Sequence, residues 1–254
     1  MKILACVKQV PDSTTKIKVA ADARGVVTDG ITWSISPYDE YAVELALEHK
    51  DGDPATIVSA VSVGPPRAKE ALRAALAMGC DEATLVTGDG VEAATGAEIA
   101  AALAGAVADL APDLVVCGKQ ASDDDQGLVG PALAELLGWP HVALVTQFAP
   151  ADGGIEIWKE VEGGHEVWKV TGPVVLTVQK SAKEPRYPSL PGIMKAKKRE
   201  IPERPFTAGN GPRTEILKLE PPPARGAGKI LKDGDPAALA TELVALLRDE
   251  AKVL

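Results

Sequence analysis

Short apolar runs recur along this chain, each separated from the next by a stretch of helical periodicity, and that alternation restricts the folds open to it. Residues 3–7, 55–63, 82–87, 113–117 and 174–178 read as strands, with a further strand over 142–148. They are apolar almost throughout rather than every second residue, which is the pattern of strands covered on both faces. A helix is predicted to begin at Ser36-Pro37-Tyr38-Asp39. Ser36 is placed to cap it, Pro37 suits the first helical position, and Asp39 completes a capping box. Tyr38, Tyr41, Ala42, Leu45, Ala46 and His49 then share one face. Helices over 67–78, closed by Gly79, and over 94–110 follow, and a fourth ends near Gly138. Strand–helix alternation of this kind predicts an α/β fold: a Rossmann-like parallel sheet covered by helices. Ligands of such sheets bind beyond the carboxyl ends of the strands, here residues 6–8, 63–64 and 118–125.

The remainder departs from that alternation. Residues 17–19 and 25–28 read as a small peripheral hairpin, and 155–161 with 167–170, joined across Gly163-Gly164, as an antiparallel hairpin. Residues 201–228 are rich in Pro and Gly and read as an extended arm. A last helix starts at Asp235-Pro236, with Leu239, Leu243, Leu246 and Leu247 on one face. The expected organisation is one domain over 1–200 and an arm with its helix over 201–254. That lone helix needs a surface to cover, its own domain or a partner subunit.

Composition excludes several functions. A net charge of −9 argues against nucleic-acid binding. Cys6, Cys80 and Cys117 are far apart and in apolar contexts, which fits buried free thiols rather than a disulfide framework or a zinc site. His49, His141 and His165 are scattered, so neither a metal centre nor a catalytic triad is indicated. No run is long enough to span a membrane and the chain opens on a strand pattern, so the expected location is cytoplasmic. Phosphate-binding and nucleophile motifs of the common enzyme classes are missing, which leaves an ATP-hydrolysing reading without an activating loop or a metal ligand set.

Two stretches stand out. Gly118-Lys119-Gln120-Ala121-Ser122-Asp123-Asp124-Asp125-Gln126-Gly127 follows a strand and opens a helix. Amides at a helix N-terminus suit a phosphate. The plainer alternative is a strand-to-helix turn in which Asp123 to Asp125 cap the helix. The second stretch is Glu184-Pro185-Arg186-Tyr187-Pro188-Ser189-Leu190-Pro191-Gly192-Ile193-Met194-Lys195-Ala196-Lys197-Lys198-Arg199. Its three prolines within seven residues hold the backbone extended, and Gly192 permits a tight turn. From Lys183 to Arg199 there are six Lys/Arg against one Glu, a local charge of +5 in an acidic chain. Apolar side chains within a cationic patch suit a docking surface; a loop tucked into its own domain with solvated lysines is equally open on the residues alone.

Both stretches resemble the β subunit of electron transfer flavoprotein, from the first strand to the last helix. The resemblance implies a heterodimer with an FAD-bearing α subunit, and no catalysis by this chain itself. It implies a partner-docking segment in which Leu190 is the residue that enters dehydrogenases, flanked by Pro191, Ile193, Met194, Lys195, Lys197 and Lys198. Acyl-CoA or related dehydrogenases are the implied donors, and a membrane quinone oxidoreductase the implied acceptor. The run Gly-Lys-Gln-Ala-x-Asp-Asp-Asp is similar to the family's AMP loop. On that likeness the cofactor pocket comprises Cys6, Ser36, Pro37, Tyr38, Asp39, Val63, Gly118, Lys119, Gln120, Ala121, Ser122, Asp123, Asp124, Asp125, Gln126, Gly127, Leu128 and Val129, with Tyr38 approaching the α-subunit FAD. Gly127, Leu128 and Val129 depart from the usual AMP pattern, so the phosphate is left to backbone N–H groups, Thr95 or Ser122. Val129-Gly130-Pro131 resembles electron-bifurcating relatives that hold a second FAD there, whereas Lys119 and Asp124 match the AMP type.

Overall fold

The structure, a computed structural model, describes all residues except 181–182, 208–213, 224–225 and 227. In chain order its elements are β1 (Lys2–Cys6), β2 (Gln9–Pro11), β3 (Trp33–Ile35), α1 (Pro37–Gly52), β4 (Ile57–Val63), α2 (Lys69–Met78), β5 (Glu82–Thr87), α3 (Gly96–Leu110), β6 (Leu114–Gly118), α4 (Val129–Leu137), β7 (His141–Ala143), β8 (Val145–Ala151), β9 (Gly154–Val161), β10 (Gly164–Val170), β11 (Val174–Val178), α5 (Leu190–Lys197), β12 (Glu203–Pro205) and α6 (Pro236–Ala245). Seven strands form one parallel sheet in the order β12-β5-β4-β1-β6-β11-β7. The α/β class expected from the apolar runs is therefore the observed one.

Alternate residues of the central strands feed two cores. Ile3, Ala5 and Val7 belong to one with Ala42, Leu45 and Ala46 of α1 and Leu72 and Ala75 of α2. Leu4 and Cys6 belong to the other with Leu103 and Val107 of α3 and Leu133 of α4. From β1 the chain steps outward through β4 and β5, then returns to place β6 on the other side of β1. Crossovers of one hand put helices on opposite faces when the direction of travel reverses. The tips of β1 and β6 are thus the switch point at which a crevice opens.

Three expectations need correction. The run 142–148 is not one strand. Leu144 adopts a left-handed φ of 59°, so His141–Ala143 pairs with β11 in the parallel sheet while Val145–Ala151 turns away to pair antiparallel with β9. The hairpin is consequently a three-stranded sheet, β10-β9-β8. No Gly or Pro marks that break, because the conformation is imposed by two sheets competing for one run. The stretch 184–199 is not extended throughout. Ser189 accepts a hydrogen bond from the Gly192 N–H (3.2 Å) and starts the short helix α5. Prolines forbid a helix interior, but Pro191 lies in the first turn, where no intrahelical donor is needed. Nor does the Ser36 side chain cap α1; the capping box lies instead at Thr95 and Glu98, ahead of α3. Glu reaches back to the cap N–H, and the shorter Asp39 carboxylate is engaged elsewhere.

The chain divides into two units, one of residues 1–17 and 27–217, the other of residues 18–26 and 218–254. In the second, Val19 bridges Val26, the Leu219 N–H donates to the Ala23 carbonyl (2.6 Å), and Asp235 caps α6 through the Ala237 and Ala238 N–H groups. None of its described residues is buried. Within the first unit, Glu203–Pro205 adds an edge strand to the parallel sheet. The Pro/Gly-rich stretch 201–228 lies partly outside the described residues. None of the described helices is long and apolar enough to cross a membrane.

Candidate functional site

At the switch point a single carboxylate joins the tips of two strands. Asp39, in the first turn of α1, accepts hydrogen bonds from the backbone N–H of Lys8 (2.7 Å) and of Gly118 (2.9 Å). The side chain lies in the interior. Burial outweighs both hydrogen bonds and raises its pKa to about 7. Gly118 allows this approach: a Cβ there would stand 2.4 Å from Asp39 Oδ1 and 2.8 Å from Tyr38 Cβ. Tyr38 itself is half-buried and Pro37 exposed. Ser36 is wholly buried and its hydroxyl has no hydrogen-bond partner among the described residues.

The loop beyond β6 is folded on itself. The Lys119 N–H donates to the Val178 carbonyl (2.7 Å) and its ammonium to Gln179 Oε1 (3.2 Å). The Gln120 side-chain amide donates to Asp125 Oδ1 (2.7 Å), and the Asp125 N–H closes a turn onto the Ala121 carbonyl (3.0 Å). Lys8 Nζ meets Asp123 Oδ1 at 2.8 Å and Asp124 Oδ2 at 3.0 Å. Burial works against the Lys8 charge, but the hydrogen bonds and charges of Asp123 and Asp124 outweigh it and hold the ammonium above its ordinary range. The three aspartates therefore do not cap α4, whose start has no side-chain cap. The capping expectation failed because a cation from just beyond β1 and an amide from the loop engage these carboxylates instead.

Cys6 and Cys117 are register partners across β1 and β6, and both are buried free thiols. Their mutual hydrogen bond and burial raise the Cys117 thiol well above its ordinary range. Val63 ends β4, on the far side of β1 from the loop. Gln126 and Leu128 approach the start of α3, where a Cβ on Gly96 would lie 3.1 Å from Gln126 Oε1. Ser122 is exposed in the loop, whereas Thr95 is committed to its own helix: its hydroxyl donates to Glu98 Oε2 (2.8 Å). Gly130 packs against β11, since a Cβ would lie 2.3 Å from Thr177 Cγ2, and this contact accounts for the glycine of Val129-Gly130-Pro131.

The predicted residues from β1, α1 and the loop thus converge. Lys8 falls within the predicted strand tip 6–8 but carries no predicted role, although it is the cation that orders the acidic run. The histidines stay apart: His49 stacks on Phe148 with ring centroids 5.0 Å apart, His141 meets Thr177 Oγ1 at 3.1 Å, and His165 lies on the exposed strand β10. Among the described residues no group of three or more His, Cys, Asp or Glu is placed to hold a metal ion.

The segment predicted to dock partners is a separate feature. Leu190 is 79% exposed and Met194 58%, Ile193 is half-buried, and Pro191, Lys195, Lys197 and Lys198 are exposed. Ala196 is the buried residue of α5. A Cβ on Gly192 would stand 2.8 Å from the Ala77 carbonyl, so its absence lets α5 lie against the end of α2.

Residues 24–208 match the electron transfer flavoprotein domain family. The chain is 40% identical to the electron transfer flavoprotein subunit β of Bradyrhizobium diazoefficiens, over the whole of both chains. It is 39% identical to that of Bacillus subtilis, again over the whole of both. The human subunit β is 35% identical, with all of this chain and 99% of the human one covered. On sequence and fold together, this chain belongs to the electron transfer flavoprotein β-subunit family.

Proposed function

We propose that the chain is the non-catalytic subunit of a heterodimeric electron carrier. It pairs with an FAD-bearing α subunit, holds AMP at the tips of β1 and β6, and docks acyl-CoA or related dehydrogenases through α5. The electrons then pass to a membrane quinone oxidoreductase. The observation that carries this reading is Leu190, a large aliphatic residue left 79% exposed in the first turn of a helix anchored to the domain. Leu243 (48% exposed) and Val244 (42%) of α6 fit the same picture, as a helix whose covering surface is the α subunit.

The residues at the switch point fit an adenosine monophosphate in a particular way. Asp123, Asp124 and Asp125 give the loop an anionic rim that suits ribose hydroxyls and not a phosphate. The first turn of α4 leaves N–H groups without intrahelical partners, and these, with Lys119, are the donors for the phosphate. Lys8 and Asp39 act behind the ligand by fixing the loop and the strand tips. Redox chemistry, when FAD is bound by the heterodimer, is supplied by the flavin.

Denaturing the purified heterodimer and identifying the released nucleotides tests the pocket. AMP alongside one FAD is expected; two FAD and no AMP would replace this reading with the electron-bifurcating one. The Leu190→Ala heterodimer tests the docking role. Its KM for reduction by an acyl-CoA dehydrogenase should rise about tenfold or more, the effect of truncating a central anchor.

A further inference from the structure

Beside Leu190 stands a residue that neither the fold nor the nucleotide site explains. Tyr187 is 97% exposed, so folding leaves almost its whole ring in water. A single exposed aromatic is unremarkable, but the residue before this one is tied to the domain by its main chain and its side chain. Arg186, its neighbour, donates from its own main-chain N–H to Glu44 Oε2 (3.0 Å). Its guanidinium also grips Glu44 through Nε to Oε2 (2.8 Å) and Nη2 to Oε1 (2.9 Å), and reaches Asp51 through Nη2 (2.7 Å). Glu44 is only 3% exposed. Two residues earlier, Glu184 accepts from the Tyr41 hydroxyl, and Pro185 and Pro188 flank the clamp. The chain is therefore pinned to α1 on one side of Tyr187, and to α2 through α5 on the other.

We propose that Tyr187 is a second partner-contact residue, held out by the Arg186–Glu44 clamp and acting together with Leu190. The inference rests on the docking reading above and specifies its contact surface. A side chain exposed by disorder must be immobilised on binding, whereas a rigid aromatic on a fixed backbone loses little entropy, and such residues dominate interface energetics. The clamp also selects the partner. It neutralises Arg186 internally, so the cationic groups left facing outward are Lys195, Lys197 and Lys198, which form no ion pair among the described residues. The matching surface is an apolar cleft that takes Tyr187, Leu190 and Met194, bordered by carboxylates.

The test uses the complete heterodimer, reduced by an acyl-CoA dehydrogenase in the presence of its substrate. Tyr187→Ala should raise KM about five- to tenfold with kcat changed less than about twofold, and Tyr187→Phe should stay within about twofold of the parent. Arg186→Gln should raise KM in the same way and speed amide hydrogen exchange across residues 186–193. If Tyr187→Ala leaves KM unchanged while Leu190→Ala raises it, this inference is wrong and the docking reading survives. If both leave it unchanged, the docking reading fails as well. An Arg186→Gln heterodimer with raised KM but unaltered exchange would refute the clamp.

Discussion

Helix α1 carries two buried carboxylates, one met by backbone donors alone and the other by a guanidinium as well. Asp39 in the first turn is met by two backbone N–H groups, from the ends of β1 and β6. Glu44 in the next is met by the guanidinium fork of Arg186 as well as its main-chain N–H, both from the segment 184–199. Backbone donors are fixed by the sheet, so Asp39 can only reinforce a geometry that the strands already have. A guanidinium on a loop is free until it binds, so Glu44 creates geometry where the segment would otherwise lack it. One acid serves the strand tips and the other fixes the segment 184–199, although both lie on one helix.

The largest expected effect comes from breaking the second arrangement. Arg186→Ala leaves Glu44 as a buried uncompensated charge and should destabilise the protein by about 3 kcal/mol. Thermal melting of the heterodimer measures this. Replacing Glu44 and Arg186 together by Leu should recover most of the loss, and failure to recover would mean that the guanidinium supports more than its carboxylate.

Crowding the first arrangement should cost somewhat less. Gly118→Ala puts a methyl group 2.4 Å from Asp39 Oδ1, and overpacking of this kind costs about 2 kcal/mol. In a double-mutant cycle with Asp39→Ala the two losses should add only in part, because removing the carboxylate relieves the contact at Oδ1 but leaves those with Tyr38 Cβ (2.8 Å) and the Asp39 backbone nitrogen (2.9 Å). Additive losses would show that Gly118 serves something other than Asp39.

The first arrangement also carries a pH dependence. The pKa of Asp39 is raised to about 7, above its unfolded value of about 4. Between these values the native state binds the extra proton, so this group's contribution to stability is full at low pH and is lost as pH rises through about 7. Melting curves collected across that range should show a downward slope with pH that Asp39→Asn removes. An unchanged slope in the variant would assign it to another group.

The smallest effect is expected at Lys8. Its side chain is 41% exposed, so despite two carboxylate partners Lys8→Gln should cost about 0.5 kcal/mol in stability. If the ordering of Asp123 and Asp124 matters to the ligand, adenosine-nucleotide affinity should fall by more than that figure implies, as titration calorimetry of the heterodimer would show.

Much of the sheet was legible in the chain. β5 and β11 lie where the apolar runs placed them, because strands buried on both faces have no freedom to be polar. The residues of the strand-tip site were legible as a group for a related reason: in a parallel sheet, the segments following the strands gather at one end. Their roles were not. Asp39 read as a helix cap, since local sequence shows Ser36 three residues before it and cannot show Gly118, 79 residues away. Asp123 and Asp124 read as caps because Lys8, more than 110 residues upstream, is invisible to any local pattern. α5 was hidden by prolines that disfavour helix interiors yet suit a first turn.

By itself the sequence determined the layered parallel fold, the placing of a glycine-bounded acidic loop after β6, and a Pro-rich segment that joins apolar and cationic side chains. These follow from side-chain polarity and backbone restrictions that act within a few residues. Tertiary structure alone decided which donors Asp39 and Glu44 received, and that Arg186 would spend its charge inward, 142 residues from its partner. A buried carboxylate accepts whatever donor the folded chain brings within about 3 Å, and only the order of strands and helices determines which donor that is.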